Sequence, residues 1–243
     1  MPLTAAHICL HLVSCRDPPY VFGMCGRMAI TLPHDAMAQV FSAVPANDLP
    51  DTPNYNVCPT VPVHVVTSDQ GSRRLRAMRW GFVPQWYDTP TKGPLLINAR
   101  SETIAEKPAF RAAVRARRCL VIANGFYEWK REAGQVPQPW FIDRSDGAPM
   151  AMAGIWQAWD KGDAPLVSCA VVTCTANAAM APIHDRLPVI LKPDDWPLWL
   201  GEAGHGAAVL MRPAPDDVLR FTKVSRQVNS NRASGPDLIT PVS

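Results

Sequence analysis

From position 27 onward the chain alternates short apolar runs with proline and glycine, and few stretches sustain a 3.6-residue period. Segments 61–66, 75–80, 119–123, 126–130, 140–143, 167–174 and 187–191 are apolar runs bounded by turn residues, the pattern expected of strands. Helical spacing is confined to 35–44, 107–117, 193–200 and 215–221. Twenty-five prolines argue against a mainly helical protein. Strands that follow one another without regular intervening helices predict an α+β fold: a mainly antiparallel, barrel-like β core with a few peripheral helices. With no internal repeat and no linker after Gly26, residues 25–243 are expected to form a single domain carrying catalysis and binding together.

Segment 1–24 reads differently. It has two histidines around a short apolar stretch, without the basic start or cleavage site of a secretory signal, and it is far too short to cross a bilayer. It is expected to be an extension, either mis-assigned through an early start codon or removed, because Met24 offers a second start.

Composition narrows the chemistry only a little. A hydrophobic fraction of 47% and a charged fraction of 19% are those of an ordinary globular protein. The net charge of +3 is modest, but arginine dominates the basic residues, which favours a local anion site over an all-round basic surface unless it reflects genome composition, so charge does not settle the partner. Seven irregularly spaced cysteines without a C-x-x-C pair argue against a disulfide framework and against a zinc site, so a reducing cytoplasm is expected and no metal. Cys119, Cys169 and Cys174 lie in apolar runs and are expected to be buried.

Four segments concentrate chemistry. The first is Met24-Cys25-Gly26-Arg27. Removal of the initiator Met would leave Cys25 with an α-amine and a thiol on one residue. An α-amine has an ordinary pKa of about 7.7–8.0 and can attack an aldehyde to give a Schiff base, onto which the thiol can close as a thiazolidine. An internal cysteine cannot do this.

The second segment is Trp80-Gly81-Phe82-Val83-Pro84-Gln85-Trp86, followed by Ile97-Asn98-Ala99-Arg100-Ser101-Glu102-Thr103. Asn98 can hydrogen-bond a nucleophile or sugar, Arg100 can fork onto a phosphate, and Trp80 can offer an indole face to a base. The plain alternatives are a core tryptophan and a solvated loop arginine. In the third segment, Asn124-Gly125-Phe126-Tyr127-Glu128-Trp129, Glu128 lies between aromatics where burial would suit it to proton transfer, unless it faces outward from an edge strand. The fourth, Pro182-Ile183-His184-Asp185-Arg186-Leu187-Pro188, carries His184, suited to proton exchange or else structural.

Together and in this order, the four segments resemble the SOS-response-associated peptidase family, whose members crosslink themselves to abasic DNA. Tyr55-Asn56-Val57-Cys58-Pro59 and Val224-Ser225-Arg226-Gln227-Val228-Asn229 extend the similarity, which spans 24–241. The resemblance implies that Cys25 carries the covalent link, Asn98 and His184 support the sugar, and Glu128 handles proton transfer. It further implies DNA contacts by Arg27, Arg100, Trp80, Pro59 and Asn56. The implied partner is single-stranded DNA containing abasic sites, bound by a monomer at the nucleoid with no cofactor, metal or membrane. Ile122-Ala123-Asn124 and Cys58 depart from residues common in the family, and the 23-residue leader before Met24 would leave Cys25 without a primary amine.

Two rival functions use the same residues. A cysteine peptidase or N-terminal-nucleophile hydrolase would use Cys25 as thiolate and His184 as base, with self-cleavage removing the leader. A non-covalent reader of single-stranded DNA would retain salt-sensitive binding after Cys25→Ala. Some lyase activity fits an imine intermediate.

Overall fold

The computed structural model describes residues 26–242. The expectations for segment 1–24 and for Cys25 therefore lie outside the described residues. In chain order the elements begin with β1 (Met28–Ile30), α1 (His34–Phe41), β2 (Ala43–Pro45), β3 (Asn54–Val57), β4 (Pro62–Asp69), β5 (Ser72–Trp80) and β6 (Asn98–Arg100). Then come α2 (Arg111–Ala116), β7 (Arg118–Ala123), β8 (Gly125–Lys130), β9 (Gln138–Arg144), β10 (Met150–Trp159) and β11 (Leu166–Thr175). The last are β12 (Arg186–Pro188), β13 (Ile190–Leu191), α3 (Trp196–Leu200) and β14 (Leu219–Lys223).

The strands make two sheets, in the order β14-β9-β8-β1-β3 and β12-β11-β10-β7-β4-β5-β2. The larger sheet curls until β5 meets β11 in parallel over two residue pairs, Ser168↔Arg79 and Cys169↔Trp80. The smaller sheet stays outside this curl, so the barrel-like core is not one closed barrel. Met28, Ile30, Phe126 and Ile142 of the smaller sheet share a core with Val65, Leu75, Val121 and Val171 of the larger. Its other face, with Ala29, Tyr127 and Phe141, is covered by Val224, Val228 and Leu238 of the C-terminal segment.

Local chemistry explains where the elements begin and end. The helical pattern over 35–44 stops at Ser42, which adopts φ 50, because residues 43–45 pair with β5 instead. The run 187–191 divides at Val189, whose N–H donates to Val172 O while its carbonyl accepts from Ala153 N. The helix expected over 215–221 is replaced by a short turn and then β14, since Leu219 and Phe221 align with Arg144 and Ile142 of β9. Tertiary pairing overrides a weak local preference there.

β10, with partners on both sides, reads Met-Ala-Met-Ala-Gly-Ile-Trp-Gln-Ala-Trp and contains one β-branched residue. Small side chains are required at its centre. A Cβ on Gly154 would stand 2.9 Å from both Cys119 Sγ and Val121 Cγ2. Gly125 opens β8 for a similar reason, because a Cβ there would lie 2.4 Å from Phe141 Cζ and 2.6 Å from Ile142 O.

Candidate functional site

β1 is an interior strand, held by β8 on one side and β3 on the other. Met28 aligns with Phe126, and Tyr127 N donates to Arg27 O at 2.9 Å. One further step of this antiparallel register brings Gly26 level with Glu128. A Cβ on Gly26 would stand 3.9 Å from Ile97 Cδ1, so Gly26 also borders the residue before Asn98. Gly26 thus lies between Glu128 of one sheet and the Ile97-Asn98 segment of the other.

Glu128 does not face outward from an edge. β8 lies between β9 and β1, and Glu128 is only 5% exposed. Successive strand residues alternate faces. Phe126 enters the main core and Tyr127 the opposite cluster, which puts Glu128 on the core side. Its Oε2 lies 3.4 Å from Trp129 N.

Asn98 opens β6, which runs parallel to β11 with Asn98 opposite Val171 and Arg100 opposite Thr173. Arg100 is exposed and shares a strand face with Asn98. The carbonyl of Ile97 accepts from Val171 N at 3.0 Å and from the indole Nε1 of Trp80 at 3.1 Å. Trp80 itself is wholly buried in the main core, so the expected base-stacking face is not available. Its indole instead holds the backbone that leads into Asn98. Trp86, from the same motif, is the exposed tryptophan at 55%.

His184 lies near the end of the loop between β11 and β12, two residues before β12 begins. Its Nδ1 lies 3.0 Å from Arg186 N and also 3.0 Å from Asp185 Oδ1. Arg186, whose role has no local signal in the sequence, pairs with Thr175 and forks onto Glu102 through Nη1–Oε1 at 2.7 Å and Nη2–Oε2 at 2.8 Å. Nη2 also donates to Thr173 O at 2.8 Å. The hydrogen bonds from Arg186 hold the Glu102 carboxyl down at about 2, well below its usual 4.5. Ser101 N reaches Thr173 O as well, at 2.8 Å, so the motifs around Arg100 and His184 meet at one end of β11. Both segments carry an acid or base that only the fold pairs; opposite charges in two separate motifs were the signal available beforehand.

Arg27 and Asn56 form a bracket. Arg27 Nη1 donates to Asn56 Oδ1 and, at 2.8 Å, to Val228 O. The two hydrogens of the Asn56 amide go to Ser230 O at 3.0 Å and Ala233 O at 2.7 Å. The Asn56 amide ties β3 to the C-terminal segment, and Asn56 is 8% exposed. Part of the Arg27 guanidinium serves the same bracket. Pro59 is half-buried and precedes Thr60, whose N–H donates to Trp80 O at 2.7 Å.

Cys119, Cys169 and Cys174 are buried as expected. Burial pushes the Cys169 thiol up to about 12 and that of Cys174 to about 11, which keeps both protonated and unreactive. Among the described residues no group of three or more His, Cys, Asp or Glu side chains could hold a metal ion. No helix among them is long and apolar enough to cross a membrane.

Comparison with known proteins places this arrangement. The model of the SOS response associated peptidase (SRAP) family matches residues 24–231. The abasic site processing protein YoqW of Bacillus subtilis is 34% identical over 223 residues, covering 89% of this chain and 99% of that protein. The abasic site processing protein YedK of Escherichia coli is 32% identical over 228 residues, covering 90% of this chain and 100% of YedK. Rat HMCES, also named an abasic site processing protein, is 31% identical over 271 residues, covering 90% of this chain and 76% of its own. A crystal structure of a protein from Bacteroides thetaiotaomicron superposes with a TM-score of 0.80 at 22% identity, covering 90% of this chain and all of the other, and so shares the fold. The chain belongs to the SOS response associated peptidase family.

Proposed function

We propose that this protein recognises abasic sites in single-stranded DNA and shields them by a covalent thiazolidine link from Cys25. The observation that carries the reading is the position of Gly26, the residue after Cys25, level with buried Glu128 and beside the Ile97-Asn98 segment. Cys25 is one peptide unit further, about 3.8 Å between Cα atoms. Relatives of similar length named abasic site processing proteins support the same substrate.

In this reaction the ring-opened sugar presents its aldehyde to the α-amine of Cys25. The nitrogen bonds to C1′, Glu128 takes a proton from the amine and returns it to the carbinolamine hydroxyl, and that oxygen leaves as water as the imine forms. The thiol then adds to the imine carbon as its proton passes to nitrogen, closing the five-membered ring. Asn98 and His184 support the sugar, and the exposed Arg100 meets the DNA backbone. No resident cofactor or metal enters these steps.

Two further activities belong to the same reading. Removal of residues 1–24 by self-cleavage would expose the amine, and the imine opens a route to β-elimination and thus to some lyase activity. The peptidase alternative draws support from the family name alone.

The test is incubation of protein beginning at Cys25 with an abasic oligonucleotide, followed by denaturing electrophoresis and mass measurement. A shifted band with the mass of protein plus DNA less water is expected, and Cys25→Ala removes it. Failure of the unmodified protein to couple, or formation of an acyl-enzyme with peptides instead, would overturn the proposal.

A further inference from the structure

We propose that Glu102 is a positioning residue for His184: acting through Arg186, it keeps the imidazole in the neutral tautomer whose proton sits on Nε2. The inference deepens the DNA-crosslinking reading above and rests on it for the consequence, though not for the geometry.

The argument begins at a single nitrogen. His184 Nδ1 has a donor, Arg186 N–H, and an acceptor, Asp185 Oδ1, both at 3.0 Å. A neutral Nδ1 can satisfy the first, and only a protonated Nδ1 can satisfy the second. The two partners differ in how firmly they are held. Asp185 has a side chain 88% exposed, whereas the Arg186 backbone is paired with Thr175 in β12.

The Arg186 side chain locks that backbone from a second direction. Its guanidinium spans from the Glu102 carboxylate to the carbonyl of Thr173 at 2.8 Å and to Thr173 Oγ1 at 3.3 Å, while Thr175 Oγ1 reaches Glu102 Oε1 at 3.4 Å. Forked arginine–carboxylate pairs fix orientation as well as distance. Glu102 therefore ties the strand carrying Asn98 and Arg100 to the turn carrying His184. The Arg186 N–H stays aimed at Nδ1, and the other ring nitrogen carries the hydrogen.

The consequence separates two chemistries. An Nε2–H donates a hydrogen bond to a sugar oxygen, which suits support of the sugar. A peptidase base needs a lone pair on the nitrogen facing the nucleophile. With Nδ1 occupied by Arg186 N–H, Nε2 offers none.

The tautomer can be read without any activity. Nitrogen-detected NMR of the full chain with labelled histidine distinguishes an acceptor Nδ1 from a protonated one. The expected signature for His184 is acceptor Nδ1 with protonated Nε2, and Glu102→Gln is expected to mix in the other tautomer. In protein beginning at Cys25, Glu102→Gln is further expected to slow crosslinking by about 10–100-fold, the scale of a misplaced reacting group. Affinity for an oligonucleotide bearing an unreactive tetrahydrofuran abasic analogue stays within about threefold of wild type. In a His184→Gln background the same substitution adds no further loss, because Glu102 acts through the imidazole.

A wild-type tautomer in Glu102→Gln would overturn the proposal. So would an undiminished additional loss in the His184→Gln background, or a loss confined to affinity. Glu102→Asp, which keeps the charge but withdraws the carboxylate by one methylene from the Arg186 fork, gives the same readouts if Glu102→Gln fails to fold. If wild type forms no crosslink, the DNA reading fails, and the NMR signature still decides the tautomer.

Discussion

Asn56→Ala separates scaffold from DNA contact, because the two roles predict opposite readouts. The substitution removes the acceptor of the Arg27 guanidinium and the donors to Ser230 O and Ala233 O. Two neutral hydrogen bonds at about 1 kcal/mol each and one charged bond at about 1.5–3 kcal/mol set an upper figure of about 3.5–5 kcal/mol. Residue 230 is exposed and 233 half-buried, so water replaces part of what is lost, and a destabilisation of about 2–3 kcal/mol is expected. In a chain of this size that lowers the melting midpoint by roughly 4–12 °C. Urea unfolding with an unchanged slope is the assay, accompanied by hydrogen exchange at Val228 N, which bonds Ser225 O beside the bracket. Affinity for an unreactive abasic analogue, measured below the midpoint, should move by less than about threefold. Stability within about 0.5 kcal/mol of wild type together with a tenfold loss of affinity would return Asn56 to the DNA surface and refute the reasoning.

Trp80→Phe should cost about 1–3 kcal/mol and slow crosslinking through the Ile97-Asn98 backbone while leaving affinity for intact single strands unchanged; a selective drop in that affinity contradicts burial of the ring. Gly154→Ala drives a Cβ to 2.9 Å from Cys119 Sγ and Val121 Cγ2, so a loss of about 1–3 kcal/mol is expected in urea unfolding, and a neutral result denies the close approach of β10 to β7. His64 is 1% exposed, and burial, with His34 beside it, lowers its pKa from 6.5 to about 4. The unfolded chain then binds the extra proton between pH 6.5 and 4. Stability is complete above that window and falls as pH drops through it, by up to about 1.4 kcal/mol per pH unit. His64→Leu should flatten this limb of the unfolding free energy against pH, and an unaltered limb assigns it to other groups.

Much of the sheet was legible because its strands carry their own signal. Residues 119–123 and 167–174 are β-branched and apolar, and β7 and β11 follow them to within a residue or two. β10 carries no local strand signal, because what it needs is small size against β7 and β11, and Ala, Met and Gly say nothing local about strands. Three-residue strands such as β1 and β6 are too short for a period, and they exist through their neighbours. The same limit applies at the site. Glu128 could be picked out by its aromatic flanks, but whether Trp80 faced a base or the core depends on Ile97, which lies 17 residues away. Asn56 sits in a motif, yet its partners are 174 and 177 residues distant.

These long-range brackets have a common physical purpose if the nucleophile is the first residue of the chain. A terminus is ordinarily the least ordered part of a domain, and an amine that samples many positions forfeits the advantage of proximity. β1 offers only three residues to anchor it, but both edges of β1 are paired, and Arg27 ties the strand's outer face to β3 and to the C-terminal segment. Gly26, level with Glu128, stands next to Cys25 in the sequence. The motif positions Arg27, Asn56 and Trp80 are then explained by immobilising the two ends of the reacting set, the chain start and Asn98, and need no contact with DNA to matter for the chemistry. Loosening any one of them should lower the rate of bond formation more than the affinity for the damaged strand.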